Sequence, residues 1–104
     1  MISYHVFFTP KVGVEDQRII ESAHRFFQQL QAEKKLRGYR ILCVTNPANF
    51  QALPRFQAIA DYESQQELDE SFAFMRLPQK KEEGAHGELM GMVADFRVSF
   101  TIDV

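Results

Sequence analysis

The chain has 104 residues and a formal net charge of −2, enough for one domain and too few for two. Its basic residues form no stripe that could neutralise several phosphates, so nucleic-acid binding is disfavoured. No apolar run approaches the roughly 20 residues that a membrane span requires. No signal-peptide pattern opens the chain, and its single cysteine fits a reducing compartment. We therefore expect a cytoplasmic protein with one domain over residues 1–104.

The first half of the chain predicts a strand, a long helix and two further strands. Residues 2–9 are mostly β-branched and aromatic, which predicts the first strand. Residues 15–36 carry apolar side chains at helical spacing, which predicts a long helix that Gly38 terminates. Residues 39–45 and 55–62 predict the second and third strands, on either side of a loop rich in turn-forming residues.

The second half predicts a capped helix, a short helical turn and a last strand. Ser64 and Glu67 have the spacing of a capping box, in which the serine side chain accepts from the glutamate amide. Apolar side chains then recur at helical spacing until Pro78 ends the helix. Residues 86–92 can form one helical turn, and residues 93–103 alternate between apolar and polar side chains as a strand does.

The predicted order βαββαβ indicates an α+β domain with a ferredoxin-like fold. Because βαβ crossovers are right-handed in nearly all cases, both long helices lie on one face of the sheet. The usual arrangement is a four-stranded antiparallel sheet with strand order 4-1-3-2, which places the first and third strands at the centre. The opposite face of the sheet then carries no helix, and we call it the open face.

The alternation of side chains assigns each strand residue to the helix side or to the open face. On the last strand, the apolar row is expected to meet the helices; it consists of Phe96, Val98, Phe100 and Ile102. The second strand is ambiguous, and we assign Arg40, Leu42 and Val44 to the open face. The other three strands contribute to that face Ser3, His5, Phe7, Thr9, Arg55, Gln57, Ile59, Asp61, Asp95, Arg97, Ser99 and Thr101.

The composition of the open face predicts a homodimer. The face is too apolar for a solvated surface, since Phe7, Leu42, Val44 and Ile59 lie together. It also carries too many charges for a dry core. A partly closed cavity against the sheet of a second copy satisfies both observations, and a homodimer is the simplest source of that sheet.

The segment from His86 to Phe96 (HGELMGMVADF), together with the length and the element order, resembles the dimeric α/β-barrel superfamily. This superfamily includes proteins like the antibiotic-biosynthesis monooxygenases and the stress-responsive barrel proteins. The similarity is best to a functionally uncharacterised bacterial family within it. The resemblance implies that two sheets face each other in a dimer, with a pocket under the helices or between the sheets.

His5 is the candidate catalytic residue, because it lies on a central strand of the open face. A carboxylate from Asp61 or Asp95 could orient the imidazole and raise its basicity for general-base chemistry. The alternative is that His5 belongs to a polar network that closes the dimer cavity. Arg40 and Arg97 could bind a carboxylate or an enolate through their guanidinium groups. The alternative for both arginines is pairing with the two aspartates.

The remaining candidates line the same predicted cavity or lie near it. Phe7 would form a wall, and Gln57 and Ser99 would contribute hydrogen bonds. His86 could gate a pocket or take a proton, or it could simply begin a helix. Cys43 is expected to face the core as a small buried side chain. We expect no cofactor and no metal, because no phosphate loop occurs and the three histidines lie on different elements.

Two functions follow from this pattern. The first is a dimeric barrel that binds a small molecule between its sheets and acts as a cofactor-independent monooxygenase or an isomerase. Its substrate would be a polar aromatic or lactone-like compound. The second is a non-enzymatic dimeric module whose barrel interior is filled by its own side chains. An empty cavity of several hundred Å³ distinguishes the first from the second.

Overall fold

The computed structural model describes residues 1–33, 36–76 and 84–104. The predicted element order and the ferredoxin-like fold class are confirmed, and the bounds differ from the predicted ones only at element ends. The first helix, for example, ends at Ala32 rather than at residue 36. The elements are β1 (Ile2–Pro10), α1 (Asp16–Ala32), β2 (Gly38–Cys43), β3 (Phe56–Tyr62), α2 (Gln65–Met75), α3 (Gly84–Met90) and β4 (Val93–Ile102).

The four strands form one antiparallel sheet in the order β2-β3-β1-β4, which is the predicted order read from the other edge. β1 pairs with β3 and β4 along most of its length, so the first strand of the chain lies at the centre. In this register His5 lies opposite Ile59 of β3 and Ser99 of β4. The register therefore fixes which side chains share the open face.

The core lies between the helices and the other face of the sheet. Alternate residues of β3, from Phe56 to Tyr62, are buried there. Phe8 of β1 stacks on Phe56 with 5.8 Å between ring centroids. Tyr62 is fully buried, and its hydroxyl shares a 2.8 Å hydrogen bond with the buried hydroxyl of Ser71 on α2. A buried phenol needs such a partner, because an unpaired buried hydroxyl costs about 1–3 kcal/mol.

The N-terminus of α2 is capped as predicted. The side chain of Ser64 accepts a 3.2 Å hydrogen bond from the backbone N–H of Glu67. The carboxylate of Glu67 in turn accepts a 3.1 Å hydrogen bond from the backbone N–H of Glu63. Two backbone donors that the helix itself cannot satisfy thus find acceptors.

The two edge strands are more exposed than the sequence predicts. The apolar row of β4 lies on the helix side, but its exposed fraction runs from 43% at Phe96 to 67% at Ile102. The prediction that this whole row meets the helices is wrong. Cys43, on the other edge strand, lies opposite Phe56 on the helix side but is also exposed, so its predicted burial is wrong. The three described helices leave parts of both edge strands uncovered.

Within the described residues, no helix is long and apolar enough to cross a membrane. The cytoplasmic location stays a prediction.

Candidate functional site

The open face is assembled as the alternation predicts. Arg40 and Leu42 of β2 pair with Ile59 and Gln57 of β3, so the assignment of β2 is confirmed. The backbone N–H of Val44 donates to the carbonyl of Arg55 at 2.8 Å, which extends this pairing by one step beyond β2. All the residues predicted as candidates on the four strands therefore share one face.

The His5 ring lies in a polar network on this face. Its Nδ1 accepts a hydrogen bond from the side-chain amide of Gln57 at 3.2 Å, and its Nε2 donates to the hydroxyl of Thr101 at 2.8 Å. Asp61 accepts instead from the hydroxyl of Ser3 at 2.6 Å. The predicted carboxylate partner of His5 is therefore wrong within one protomer. The hydrogen bonds of the His5 ring match the alternative interpretation, in which this residue belongs to a polar network.

Arg97 forms an ion pair with Asp95, two residues before it on β4. Its Nε and one terminal nitrogen donate to the two carboxylate oxygens at 3.3 and 2.9 Å. This hydrogen bonding lowers the pKa of Asp95 and raises the pKa of Arg97. A terminal nitrogen of Arg97 also donates to the carbonyl of Ala52 at 2.6 Å. Arg97 therefore pairs with an aspartate, which is the alternative that the sequence left open for this arginine.

Arg40 differs from Arg97, because its exposed guanidinium makes no hydrogen bond or ion pair with a described residue. Phe7 is half-buried and lies in register between Gln57 and Arg97. Ser99 lies directly opposite His5. These residues share the face, but one sheet alone does not enclose a cavity over them.

A second concave region lies on the other side of the sheet, between β1, α1, α2 and α3. We call it the helix-side cleft. An inner chamber of about 40 Å³ and an outer, more open chamber of about 210 Å³ share Tyr4, Met75 and His86 in their walls. The walls are completed by Val6, Phe8, Phe26, Phe27, Phe72, Ala58, Arg76, Leu89, Met90 and Val93. The inner chamber is almost wholly apolar and the outer one is more polar. Both are rich in aromatic rings, as small-molecule sites commonly are.

Tyr4 supplies a polar group to this cleft. Its ring stacks on Phe100 at 5.2 Å and meets Phe72 edge-on at 5.0 Å. No described residue forms a hydrogen bond with its hydroxyl. Burial, with a smaller contribution from Tyr62, raises the pKa of Tyr4 to about 12. At neutral pH the side chain is therefore an uncharged phenol that can donate a hydrogen bond.

His86 is the one sequence-predicted candidate that lies on this side of the sheet. It is the third residue of α3 and half-buried, with its ring 5.2 Å from that of Phe26. An ion pair between Arg25 and Glu88 ties α3 to α1. α3 begins at Gly84, whose φ of +73° favours a residue without a side chain. Local backbone geometry and α1 together place the imidazole at the cleft.

Sequence reasoning missed Tyr4, Met75 and Arg76 as site residues. Alternation assigned Tyr4 correctly to the helix side, but that side is ordinarily core. Nothing in the spacing reveals that the helices leave a gap above it. Among the described residues, no three His, Cys, Asp or Glu side chains come together to hold a metal ion.

Known protein structures share the fold of this chain. No curated protein matches the chain. Among solved structures, At3g17210 of Arabidopsis thaliana superimposes with a TM-score of 0.82 at 14% identity, over 100% of this chain and 96% of that one. A dimeric ferredoxin-like protein of unknown function from Jannaschia sp. CCS1 gives a TM-score of 0.71 at 17% identity, over 99% and 100%. SnoaB, a cofactor-independent oxygenase from Streptomyces nogalater, gives 0.70 at 10% identity, over 98% and 91%.

At such identities the likeness establishes the fold alone: the protein has the ferredoxin-like fold that dimeric proteins and an oxygenase also use. Residues 1–101 match the model of a family described as a family of unknown function. The chain belongs to that family, DUF6614. The predicted resemblance is thus confirmed for the fold and for the uncharacterised family. A bacterial origin stays a prediction.

Proposed function

We propose that this protein binds a small, mainly apolar molecule in the helix-side cleft, as a homodimer joined through its open faces. The observation that carries the proposal is the Tyr4 hydroxyl, which forms no hydrogen bond with a described residue and lies in an aromatic-lined cleft beside His86. Tyr4 is half-buried, so its hydroxyl can donate to a molecule that enters the cleft. A ligand oxygen in the cleft would accept this hydrogen bond.

The lining defines the chemistry that the cleft can take. Aromatic and aliphatic walls favour a flat apolar body. The neutral phenol of Tyr4 can donate to a carbonyl or to the oxygen of an enolate, where negative charge develops during proton removal. His86 can carry that proton, and the Arg76 guanidinium lines the outer chamber. This set suits proton transfer on a polar aromatic or lactone-like compound, as in a cofactor-independent monooxygenase or an isomerase.

A site between the sheets of the dimer is the second candidate. It is supported by the guanidinium of Arg40, which pairs with no residue that the structure describes and shares the open face with the half-buried side chains of Phe7 and Ile59. An anionic group of a ligand could pair with Arg40 once a second sheet covers the face. In that arrangement His5 would contact the ligand.

A thermal-shift assay separates the two sites. The probes are coumarin, an aromatic lactone, and 1-naphthol, a polar aromatic compound. We expect at least one of them to raise the melting temperature of the wild type. Tyr4→Phe should weaken that binding by roughly two- to tenfold, because it removes one neutral hydrogen bond.

The controls are chosen by position. Tyr39→Phe changes a tyrosine whose hydroxyl contacts His24 at 2.9 Å outside the cleft, and should bind as the wild type does. If His5→Ala or Arg40→Ala abolishes binding while Tyr4→Phe does not, the ligand lies between the sheets. If neither probe shifts the melting temperature of the wild type, small-molecule binding of this class is contradicted.

A further inference from the structure

The loop between β2 and β3 bends towards the open face instead of extending away from the sheet. The backbone N–H of Arg55 donates to the hydroxyl of Thr9 at 3.4 Å, and Thr9 lies on the open face in register with Asp95. Arg97, also on that face, reaches the carbonyl of Ala52. Since β4 lies two strands away from β3 in the sheet, the loop must lean over the Thr9 end of β1 to make this contact.

The conformation of this loop is unfavourable by itself. Ala48 and Ala52 have φ values of +52° and +54°, in the left-handed region that residues with a Cβ rarely adopt. Such backbone persists only where surrounding contacts hold it. Here the side chain of Asn46 accepts from the backbone N–H of Ala48 at 2.9 Å, and the Arg97 guanidinium holds Ala52. Arg97 is itself fixed by its ion pair with Asp95.

The loop presents an aromatic ring to solvent. The exposed fraction of Phe50 is 68%, and its backbone N–H donates to the carbonyl of Pro47 at 2.9 Å, which forms a turn at the tip. Aromatic side chains are enriched in protein–protein interfaces, where a few of them supply most of the binding energy. A second copy that covers the open face would meet this loop, because the loop leans over the same face.

We propose that the loop of residues 44–55, held over the open face by Arg97, is a contact arm for the second copy, with Phe50 as its anchoring side chain. This inference rests on the homodimer of the proposed function. It assigns Arg97 a positioning role: the residue holds the arm, and binds no ligand. Each protomer of the dimer contributes one arm.

The test is the dimer dissociation constant, measured by analytical ultracentrifugation of the full chain. We expect Phe50→Ala to raise it by roughly tenfold or more, as loss of an aromatic anchor does. Arg97→Met should raise it as well, although Phe50 is unchanged, because the arm is released. Val12→Ala is the matched control: Val12 is a fully exposed apolar residue outside this loop, and its removal should leave the constant unchanged.

A second measurement follows the arm directly. A solvent-sensitive fluorophore is attached to Phe50→Cys in a Cys43→Ser background, so that the label has a single site. Its emission should shift to longer wavelength on dilution, in parallel with dissociation. An emission that is independent of concentration in a sample that does dissociate would overturn the inference.

The experiments distinguish an incorrect contact arm from an incorrect homodimer. Ile59→Asp places a charge at the centre of the open face and should dissociate the dimer. If Ile59→Asp dissociates the protein but Phe50→Ala does not weaken it, the dimer stands and the contact arm is wrong. If the wild type sediments as a monomer at every concentration, both the dimer and the arm are wrong.

Discussion

Most charged side chains of the open face find their partners close by in the same sheet. Asp95 and Arg97 pair along one strand, and Asp61 accepts from Ser3 directly across from it. Such local pairs leave little net charge for a ligand to neutralise. Arg40 is the exception among the described residues of this face, and it is the arginine to substitute if the inter-sheet cavity binds an anion. On the other side of the sheet, the half-buried phenol of Tyr4 also forms no hydrogen bond with a described residue.

The raised pKa of Tyr4 predicts how stability depends on alkaline pH. Below pH 10 the phenol is protonated in both the folded and the unfolded chain, and its contribution is fully present. Between pH 10 and about 12 the unfolded chain loses its proton first, so the free energy of unfolding falls as the pH rises. Urea denaturation across this range should show a shallower fall for Tyr4→Phe than for the wild type.

Tyr62 also has a raised pKa, so some alkaline dependence will remain in the Tyr4→Phe variant. Tyr39→Phe serves as the control and should follow the wild type. Identical pH profiles for Tyr4→Phe and the wild type would contradict the burial of the Tyr4 phenol.

At the scale of elements, the sequence predicts the order, the sheet topology and the faces. These predictions succeed because the backbone alone sets the alternation of side chains along a strand. In addition, the ten phenylalanines mark the apolar rows clearly. The partner of a polar group is harder to predict. His5 forms hydrogen bonds with Gln57 and Thr101 and with no aspartate. Several polar side chains lie at similar distances from it on the open face, and the reach of each side chain decides which of them becomes its partner.

The helix-side cleft cannot be predicted from the sequence either. Its existence depends on how far α2 and α3 stand from the sheet, and no periodicity encodes that distance. The exposure of the β4 row has the same origin, because alternation gives the side of the sheet but not the area that the helices cover. The sequence predicts the β2–β3 loop, but the position of the loop over the open face depends on a hydrogen bond from Arg97, 45 residues beyond Ala52.

The capping box of α2 predicts a measurable loss of stability. Ser64→Ala removes the side-chain oxygen that accepts from the Glu67 amide, and should lower the free energy of unfolding by about 1 kcal/mol. Ser64→Asp retains an acceptor and should stay close to the wild type. Both are measured by urea denaturation. An unchanged midpoint for Ser64→Ala would show that water satisfies this amide equally well.

At the scale of the whole molecule, one protomer leaves two apolar surfaces uncovered. The first is the mixed open face, and the second is the outer row of β4 from Phe96 to Ile102. Groups of exposed apolar side chains on a small domain usually mark a contact surface. β4 is also a ten-residue edge strand, and unpaired edges of that length are seldom left open to water. Both features favour an assembly larger than one chain.

A dimer predicts that the melting temperature depends on protein concentration. Mass action stabilises an associated folded state as the concentration rises, so the wild type should melt at a higher temperature in a tenfold more concentrated sample. Differential scanning calorimetry measures this directly. Ile59→Asp should melt at a lower temperature that does not change with concentration. A constant melting temperature for the wild type would argue against the dimer.

The central position of β1 has a consequence for how this domain folds. β1 is the first strand of the domain, yet its two neighbours are β3 and β4, and β4 is the last strand of the sheet in chain order. The β1–β4 pairing runs from Ile2 with Ile102 to Pro10 with Val93, and such distant pairing slows folding because a long loop must close first. One edge of β1 therefore has no partner strand until the far end of the domain has folded back onto it.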